Sequence, residues 1–216
     1  MDTEFWLHKW ENNDIGFHNQ QANPLLVKHL EQLGLPSGSR LFLPLCGKTL
    51  DIGWLLAKGY KVAGAELSRL AVIQLFDELG FTPQISRLGE LEAYSANNLV
   101  IFIGDIFKLT ESLLGEVDAV YDRAALVALP TSMRAHYTRH LMDITHNSQQ
   151  LLISFEYDQS QMEGPPFSVP ASEIDQYYGS HYNLQLLASA DVEGGLKGKC
   201  AAKENVWLLK PDRNRN

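Results

Sequence analysis

Short apolar runs alternate along this chain with longer segments whose apolar positions recur every three or four residues. The short runs predict strands at Arg40 to Leu45, Tyr60 to Glu66, Asn98 to Gly104, Asp118 to Asp122, Gln150 to Tyr157, Leu184 to Ser189 and Asn205 to Lys210. The periodic segments predict helices at Thr49 to Lys58, Ser68 to Leu79, Thr131 to Thr145 and Ala171 to Tyr178, with hydroxyls for their starts at Ser68, Thr131 and Ser172. Strands separated by helical crossovers imply an α/β fold around a mostly parallel sheet. The stretch Gly164-Pro165-Pro166-Phe167-Ser168-Val169-Pro170 predicts a stiff loop after a strand, because its prolines lack donors and push their predecessors to extended shapes. Loops at the carboxyl ends of strands are where open α/β sheets bind ligands.

One stretch, from Leu41 to Ser68, carries the first chemical signal. Its first strand ends at Leu45, Cys46-Gly47-Lys48 forms a turn, and a helix opens with free amides facing that turn. Gly47 lets a ligand edge approach the backbone closely. Glu66, nineteen residues further on, ends the next strand, where a carboxylate accepts hydrogen bonds from the hydroxyls of a ribose. A pyrophosphate-binding turn needs several glycines, and Lys48, Thr49 and Leu50 follow a single one here. The pattern therefore favours a nucleoside without a pyrophosphate, such as S-adenosylmethionine, although any strand–helix unit can carry a turn glycine and a terminal acid. The following strand ends in Asp105-Ile106, an acid for an exocyclic amine and an apolar cover for a ring, or equally a helix cap. The next ends in Asp122-Arg123, where Arg123 either enters the same crevice or makes a surface pair with Asp122.

Composition narrows the class. A chain of 216 residues with 45% hydrophobic content builds one domain with a full core, so residues 1–216 are expected to form a single domain ending in a short flexible tail from 211 to 216. A net charge of -8 without a run of Lys or Arg argues against nucleic acid as a partner. An acidic amino terminus and the absence of a long apolar stretch argue for a soluble, cytoplasmic protein without a membrane partner, and the periodic faces suggest a monomer. Cys46 and Cys200 are expected to be free thiols, with Cys46 a small packing residue rather than a nucleophile. His136 and His140 stand one helical turn apart, but Tyr137 occupies the place where a metalloprotease helix needs its glutamate, and no metal is expected. Asp118, Glu156 and Asp158 read as ordinary strand-end acids.

These segments, with several others, resemble the thiopurine S-methyltransferase family. The likeness runs over nearly the whole chain: Trp6 and Trp10, Ile15-Gly16-Phe17-His18, Asn23-Pro24-Leu25-Leu26, Leu43-Pro44-Leu45-Cys46-Gly47-Lys48, Gly64-Ala65-Glu66-Leu67-Ser68, Tyr121-Asp122-Arg123-Ala124-Ala125-Leu126-Val127-Ala128, and the proline-rich loop. It implies a Rossmann-like, seven-stranded, mostly parallel sheet with helices on both faces, S-adenosyl-L-methionine as cofactor, and methyl transfer to the sulfur of aromatic or heterocyclic thiols such as thiopurines; bacterial relatives are also associated with selenium and tellurium compounds. Carried over by position, it implies that Trp10, Leu45, Glu66 and Arg123 contact the cofactor, that Gly47, Asp105 and Ile106 line the same pocket, and that Phe17 faces the acceptor. Departures are Asp105, where some relatives have serine, and Val192 to Ala202, where a second basic group has Lys197 or Lys199 as its nearest equivalents.

The chemistry this implies is in-line displacement at a sulfonium by a thiolate, in which opposite charges become two neutral products, so a water-poor site favours it. Residues 1–30, with Phe5, Trp6, Trp10 and Phe17, are then expected to form a lid, against the alternative of a core-packing helix. Arg123 is the expected catalytic group, holding either the cofactor's carboxylate or the acceptor's anionic sulfur. The alternatives are a halide or small-thiol methyltransferase, a nicotinamide-dependent oxidoreductase and a non-catalytic binding module.

Overall fold

The computed structural model describes residues 3–16 and 21–212. The chain divides into two compact units, one up to Asp118 and one from Ala119 onward. In the first unit α1 (Thr3–Glu11) and α2 (Pro24–His29) precede β1 (Arg40–Leu43), α3 (Leu50–Ala57), β2 (Lys61–Glu66), α4 (Arg69–Glu78), β3 (Gln84–Leu88), β4 (Leu91–Ala96), β5 (Leu99–Ile103) and the short α5 (Glu111–Leu114). The strands lie in the order β3-β4-β5-β2-β1. β1, β2 and β5 run parallel, in a register that sets Leu43 against Gly64 and Glu66 against Ile103. All three are almost wholly buried, as near-continuous apolar runs in a covered parallel sheet should be. Leu41, Phe42, Ile52, Leu55, Val72 and Ile101 form the heart of this core.

The second unit contains β6 (Ala119–Arg123), α6 (Thr131–Thr145), β7 (Gln149–Tyr157), α7 (Ala171–Tyr178), β8 (Tyr182–Asp191) and β9 (Ala202–Pro211). Its strand order is β6-β7-β9-β8, with β6 and β7 parallel and β9 antiparallel to both of its neighbours.

The described residues thus contain nine strands, not the expected seven. The addition is the hairpin of β3 and β4, joined by Gly89-Glu90 with Gly89 at φ +65°. Four of the five β3 residues are exposed, so Gln84-Ile85-Ser86-Arg87-Leu88 lacks the apolar alternation that marks a strand, and it owes its conformation to pairing with the better-buried β4. Two helix starts also differ from expectation. Ser68 caps α4, accepting from the Ala71 amide at 3.2 Å, whereas Pro130 and Pro170 stand at the caps of α6 and α7 and neither Thr131 nor Ser172 serves. Pro211, expected in a flexible tail, ends β9, and the Asp212 amide donates to the His181 carbonyl at 2.9 Å.

The proline-rich loop is held from several directions. Phe167 donates its amide to Val127 O and Val169 to Phe155 O, each at 2.7 Å, and the Tyr157 hydroxyl donates to Pro166 O at 2.7 Å. Arg134, only 1% exposed, donates Nε to Leu129 O at 2.9 Å. Its Nη1 reaches Ser168 O at 3.1 Å and both Glu173 carboxylate oxygens at 2.7 and 2.8 Å. Its guanidinium also lies 5.7 Å from the centre of the Phe167 ring. Among the described residues no helix is long and apolar enough to cross a membrane.

Removing one partner of this buried pair strands the other. Arg134→Ala is expected to lower unfolding free energy by about 3–5 kcal/mol in urea titrations, while the joint replacement Arg134→Met with Glu173→Leu costs much less. Equal losses in the two variants would contradict this assignment.

Candidate active site

The site begins where β1 ends. After Leu43 the chain turns through Leu45 at φ +47° and Gly47 at φ +54°, both left-handed. The Cys46 amide donates to Ala65 O at 3.0 Å, keeping the turn pinned alongside β2. Thr49 accepts from the Asp51 amide at 3.3 Å to start α3. Asp51, itself 2% exposed, accepts from the Asn23 amide at 2.6 Å, and Asn23 caps α2 by accepting from Leu25 at 2.8 Å. Lys48, next to the turn, pairs with Glu78 of α4 at 2.6 Å.

Glu66 occupies the centre. Its Oε2 accepts from the Gly47 amide at 2.7 Å and its Oε1 from the Ser68 amide at 2.8 Å, and the residue is only 6% exposed. Burial pushes its carboxyl above the usual range, and the amides of Ser68, Gly47 and Leu67 pull it back. A carboxylate oxygen has more than one lone-pair site, so each oxygen can still accept a hydroxyl after its amide bond is made. The Cys46 thiol, buried next to this acid, is pushed well up, first by burial and then by the Glu66 charge, which suits a packing residue and not a nucleophile.

Gly47 has a second reason to be glycine. A Cβ there would lie 2.9 Å from Cζ2 and 3.2 Å from Cη2 of Trp10. The indole therefore rests directly on the turn, and Trp10 is 5% exposed, the buried residue of α1. The helix itself packs against α4. Gly104, at φ +137°, donates to Glu66 O at 2.9 Å and brings the end of β5 to the same strand-end edge. Beyond it Ile106 is buried, while Asp105 is exposed and its Oδ1 caps the short turn Ile106–Lys108 by accepting from Phe107 at 3.0 Å. The capping alternative for Asp105 is thus realised, with Oδ1 used. Trp10, Leu45, Gly47, Glu66, Asp105 and Ile106 accordingly gather on the first unit's β1, β2 and β5 ends. Phe17 lies outside the described residues.

Arg123 ends β6 in the second unit and is half-buried. Its neighbour Asp122 is not at the surface, where the alternative reading of the two would have it. Asp122 is completely buried, accepting from Tyr137 Oη at 2.7 Å and from the Leu126 amide at 3.1 Å. Burial raises its carboxyl to about 6 against the pull of Tyr137 and the Leu126 and Ala125 amides. Half-buried Glu204 of β9 feels the Arg123 charge: burial raises its carboxyl and Arg123 draws it down. Lys197 donates to Pro165 O at 2.7 Å, tying the β8–β9 tip to the proline-rich loop, and Lys199 is exposed on the same tip. The acids set aside as ordinary have structural partners: Asp118 accepts from the Arg40 amide at 2.7 Å, Glu156 from Asn205 at 3.2 Å, and Asp158 from Ser160 at 3.0 Å. Among the described residues no group of three or more His, Cys, Asp and Glu could hold a metal ion. Sequence reasoning missed Tyr137 and Asp51, which no motif marks; an acid inside the apolar run Ala119-Val120-Tyr121-Asp122 was the available signal.

The model of the thiopurine S-methyltransferase family matches residues 1–212. A thiopurine S-methyltransferase of Xanthobacter autotrophicus is 54% identical over 210 residues, 97% of this chain and 99% of that protein. One from Teredinibacter turnerae is 49% identical over 214 residues, 99% of this chain and all of that protein. The chain belongs to the thiopurine S-methyltransferase family. It is an S-adenosylmethionine-dependent S-methyltransferase. In fold it is similar to the Burkholderia thailandensis 1,6-didemethyltoxoflavin-N1-methyltransferase, solved with S-adenosylhomocysteine, with a TM-score of 0.66 at 13% identity over 97% of this chain and 87% of that one. TehB from Haemophilus influenzae gives 0.59 at 12% identity over 86% of this chain and 62% of that one. The Rossmann-like class of such methyltransferases is therefore the fold of the family member described here. The cofactor fits the residues present: spare lone pairs on a buried acid for a ribose, and a glycine turn under an indole.

Two outcomes follow from these contacts. Gly47→Ala forces a Cβ toward Trp10 at a left-handed φ, and it is expected to cost about 1–2 kcal/mol in unfolding free energy. Its affinity for S-adenosylhomocysteine, read by calorimetry, should fall as well; wild-type values would show that the turn tolerates a side chain. For Asp122, the folded value of about 6 lies above the unfolded value of 3.8, so the folded state holds the proton more tightly. The stability this group contributes is present below about pH 4 and lost as pH rises through 6. Relative to wild type, Asp122→Asn should therefore gain on the order of 2–3 kcal/mol between pH 4 and pH 7 in urea titrations, and a pH-independent difference would refute the shift.

Proposed function

We propose that this enzyme methylates the thiol or thiolate sulfur of aromatic and heterocyclic thiols such as thiopurines, with selenium or tellurium compounds as further acceptors. The observation that carries the reading is the double amide clamp on Glu66, which leaves a buried acceptor pair for a ribose at the strand ends. The names carried by the full-length relatives support the thiol acceptor. A nicotinamide-dependent oxidoreductase finds no support, since the turn offers Gly47 alone where a pyrophosphate needs a glycine-rich cradle. A halide or small-thiol acceptor is the second outcome of the same assay.

When bound, S-adenosylmethionine supplies a methyl group on a sulfonium. Glu66 would accept the ribose hydroxyls, Gly47 would keep the turn open to close approach, and Ile106 would give an apolar cover. Trp10 would shield the turn from water, since its indole already lies on Gly47. Leu45 and Asp105 border the same edge. Arg123 is the proposed catalytic and substrate-binding group. Its guanidinium stays charged and would hold either the cofactor's carboxylate or the acceptor's anionic sulfur. No strong base is needed when a heterocyclic thiol is already partly ionised near neutral pH. Residues 1–30 would act as a lid, with Phe17 toward the acceptor. We propose further that residues 1–216 form one methyltransferase domain, acting as a cytoplasmic monomer.

The test is incubation with S-adenosylmethionine and a panel of thiopurines, small thiols and iodide, with methylated products read by mass spectrometry. Methylated thiopurines are expected; methyl iodide or methylated small thiols alone would replace the aromatic acceptor. In the same assay Arg123→Ala separates the two roles of the guanidinium. A loss confined to cofactor affinity marks the carboxylate role, a loss confined to turnover marks the sulfur role, and no change removes Arg123 from the site. Deletion of residues 1–18 should weaken both cofactor affinity and turnover, and unchanged constants would discard the lid.

A further inference from the structure

Arg123 leaves β6 into a turn that ordinary L-residues avoid. Ala124, the next residue, has φ +67°, in the left-handed region where a Cβ is unfavourable and glycine is usual. Something must hold the turn in that shape, and the side chain on the other flank of Arg123 does so. Asp122 reaches past Arg123 and Ala124 to accept the Leu126 amide at 3.1 Å, and the Ala125 amide points to the same carboxylate. Its second oxygen accepts the Tyr137 hydroxyl at 2.7 Å. Asp122, Ala125, Leu126 and Tyr137 are all buried, with nothing above 0% exposure. On the far side of the turn the Val127 carbonyl accepts the Phe167 amide at 2.7 Å, which fastens it to the proline-rich loop. The aromatic groups that feel the charge of the carboxylate are Tyr137 on α6 and Tyr178 on α7.

We propose that Asp122 is a positioning residue for Arg123, and that Tyr137 backs it by fixing the carboxylate that closes the left-handed turn. The inference rests on the reading of Arg123 as a catalytic or cofactor-binding group. Asp122 acts through the backbone: its bonds to two amides set the direction in which the guanidinium leaves β6, and it touches neither cofactor nor acceptor. Tyr137→Phe removes one oxygen and leaves the amide bonds; Asp122→Asn halves the acceptor capacity at the same volume. An Ala124→Gly exchange relieves the conformational demand on the clamp.

The experiment is a double-mutant cycle on the purified full-length enzyme with S-adenosylmethionine and a thiopurine. Affinity for S-adenosylhomocysteine, KM for the thiol and kcat are measured for Arg123→Ala, Asp122→Asn and their double variant. Asp122→Asn is expected to move the same constant as Arg123→Ala, by about 5- to 30-fold, with the other constants unchanged, and the double variant should be no worse than Arg123→Ala alone. Adding Ala124→Gly to Asp122→Asn should restore part of the lost constant; recovery of the urea midpoint with that constant unmoved would mark a merely structural defect and overturn the positioning role. Should Asp122→Asn fail to fold, Tyr137→Phe takes its place, with an expected 3- to 10-fold change in the same constant. Losses that add in the double variant, or that fall on a different constant, overturn the positioning role while leaving Arg123 in place. A wild-type Arg123→Ala enzyme overturns both.

Discussion

A single buried carboxylate organises the strand ends of the first unit. Glu66 ends β2, and its two oxygens take the amides of Gly47 and Ser68, residues that follow two different strands. Hydrogen bonds from neutral amides to a carboxylate are worth more than those between neutral groups, and the desolvation cost of a buried acid makes them obligatory. The turn after β1 therefore cannot wander from the end of β2 without stranding a charge. Everything else at this edge depends on that joint. The helix α3 starts from the turn, the Trp10 indole lies on it, and Asp51 at the start of α3 anchors Asn23 and with it α2. The acid proposed to bind the ribose is thus also a fastener for the turn.

The second unit repeats the device with a different acid. Asp122 stands one residue before the end of a strand, is also buried, and also gathers amides from the turn that follows, with Tyr137 in place of a second loop. In both turns a non-glycine residue is left-handed, Leu45 in one and Ala124 in the other. Strained backbone near a site persists where the surroundings over-determine it, and a caged carboxylate is a direct way to do that. Side-chain freedom is thus removed at each of these two strand ends.

Much of this was legible before any coordinates. The seven apolar strands, the four main helices and the Gly47 and Glu66 pair follow from periodicity and from what a turn glycine and a strand-end acid can do, because burial on both faces leaves a strong apolar signal. The hairpin of β3 and β4 was not legible, since Gln84 to Leu88 is exposed and is a strand only because β4 pairs with it. Nor was the state of Asp122. Beside Arg123 in sequence, it reads as a surface partner; in three dimensions it is fully buried and bonded to a tyrosine fifteen residues on, and sequence adjacency carries no information about which face a residue near a strand's end presents. The contact of Trp10 with Gly47 was hidden for the same reason, because it joins a helix to a turn far along the chain. Asp105 illustrates an ambiguity that residue type alone does not resolve, since an acid just past a strand's end reads equally as a ligand contact and as the cap of its own turn, which it is.

The central claim is that Glu66 serves as clamp and ribose acceptor together. Calorimetric titration of the wild-type enzyme and of Glu66→Gln with S-adenosylhomocysteine, alongside urea titration of both proteins, tests it most directly. The account expects saturable binding by the wild type, at least about 10-fold weaker binding by the variant, and a measurable loss of stability in the variant, since an amide in place of the carboxylate meets the Gly47 or Ser68 N–H with a donor. Equal affinity in the two proteins, or no binding by the wild type, would contradict it.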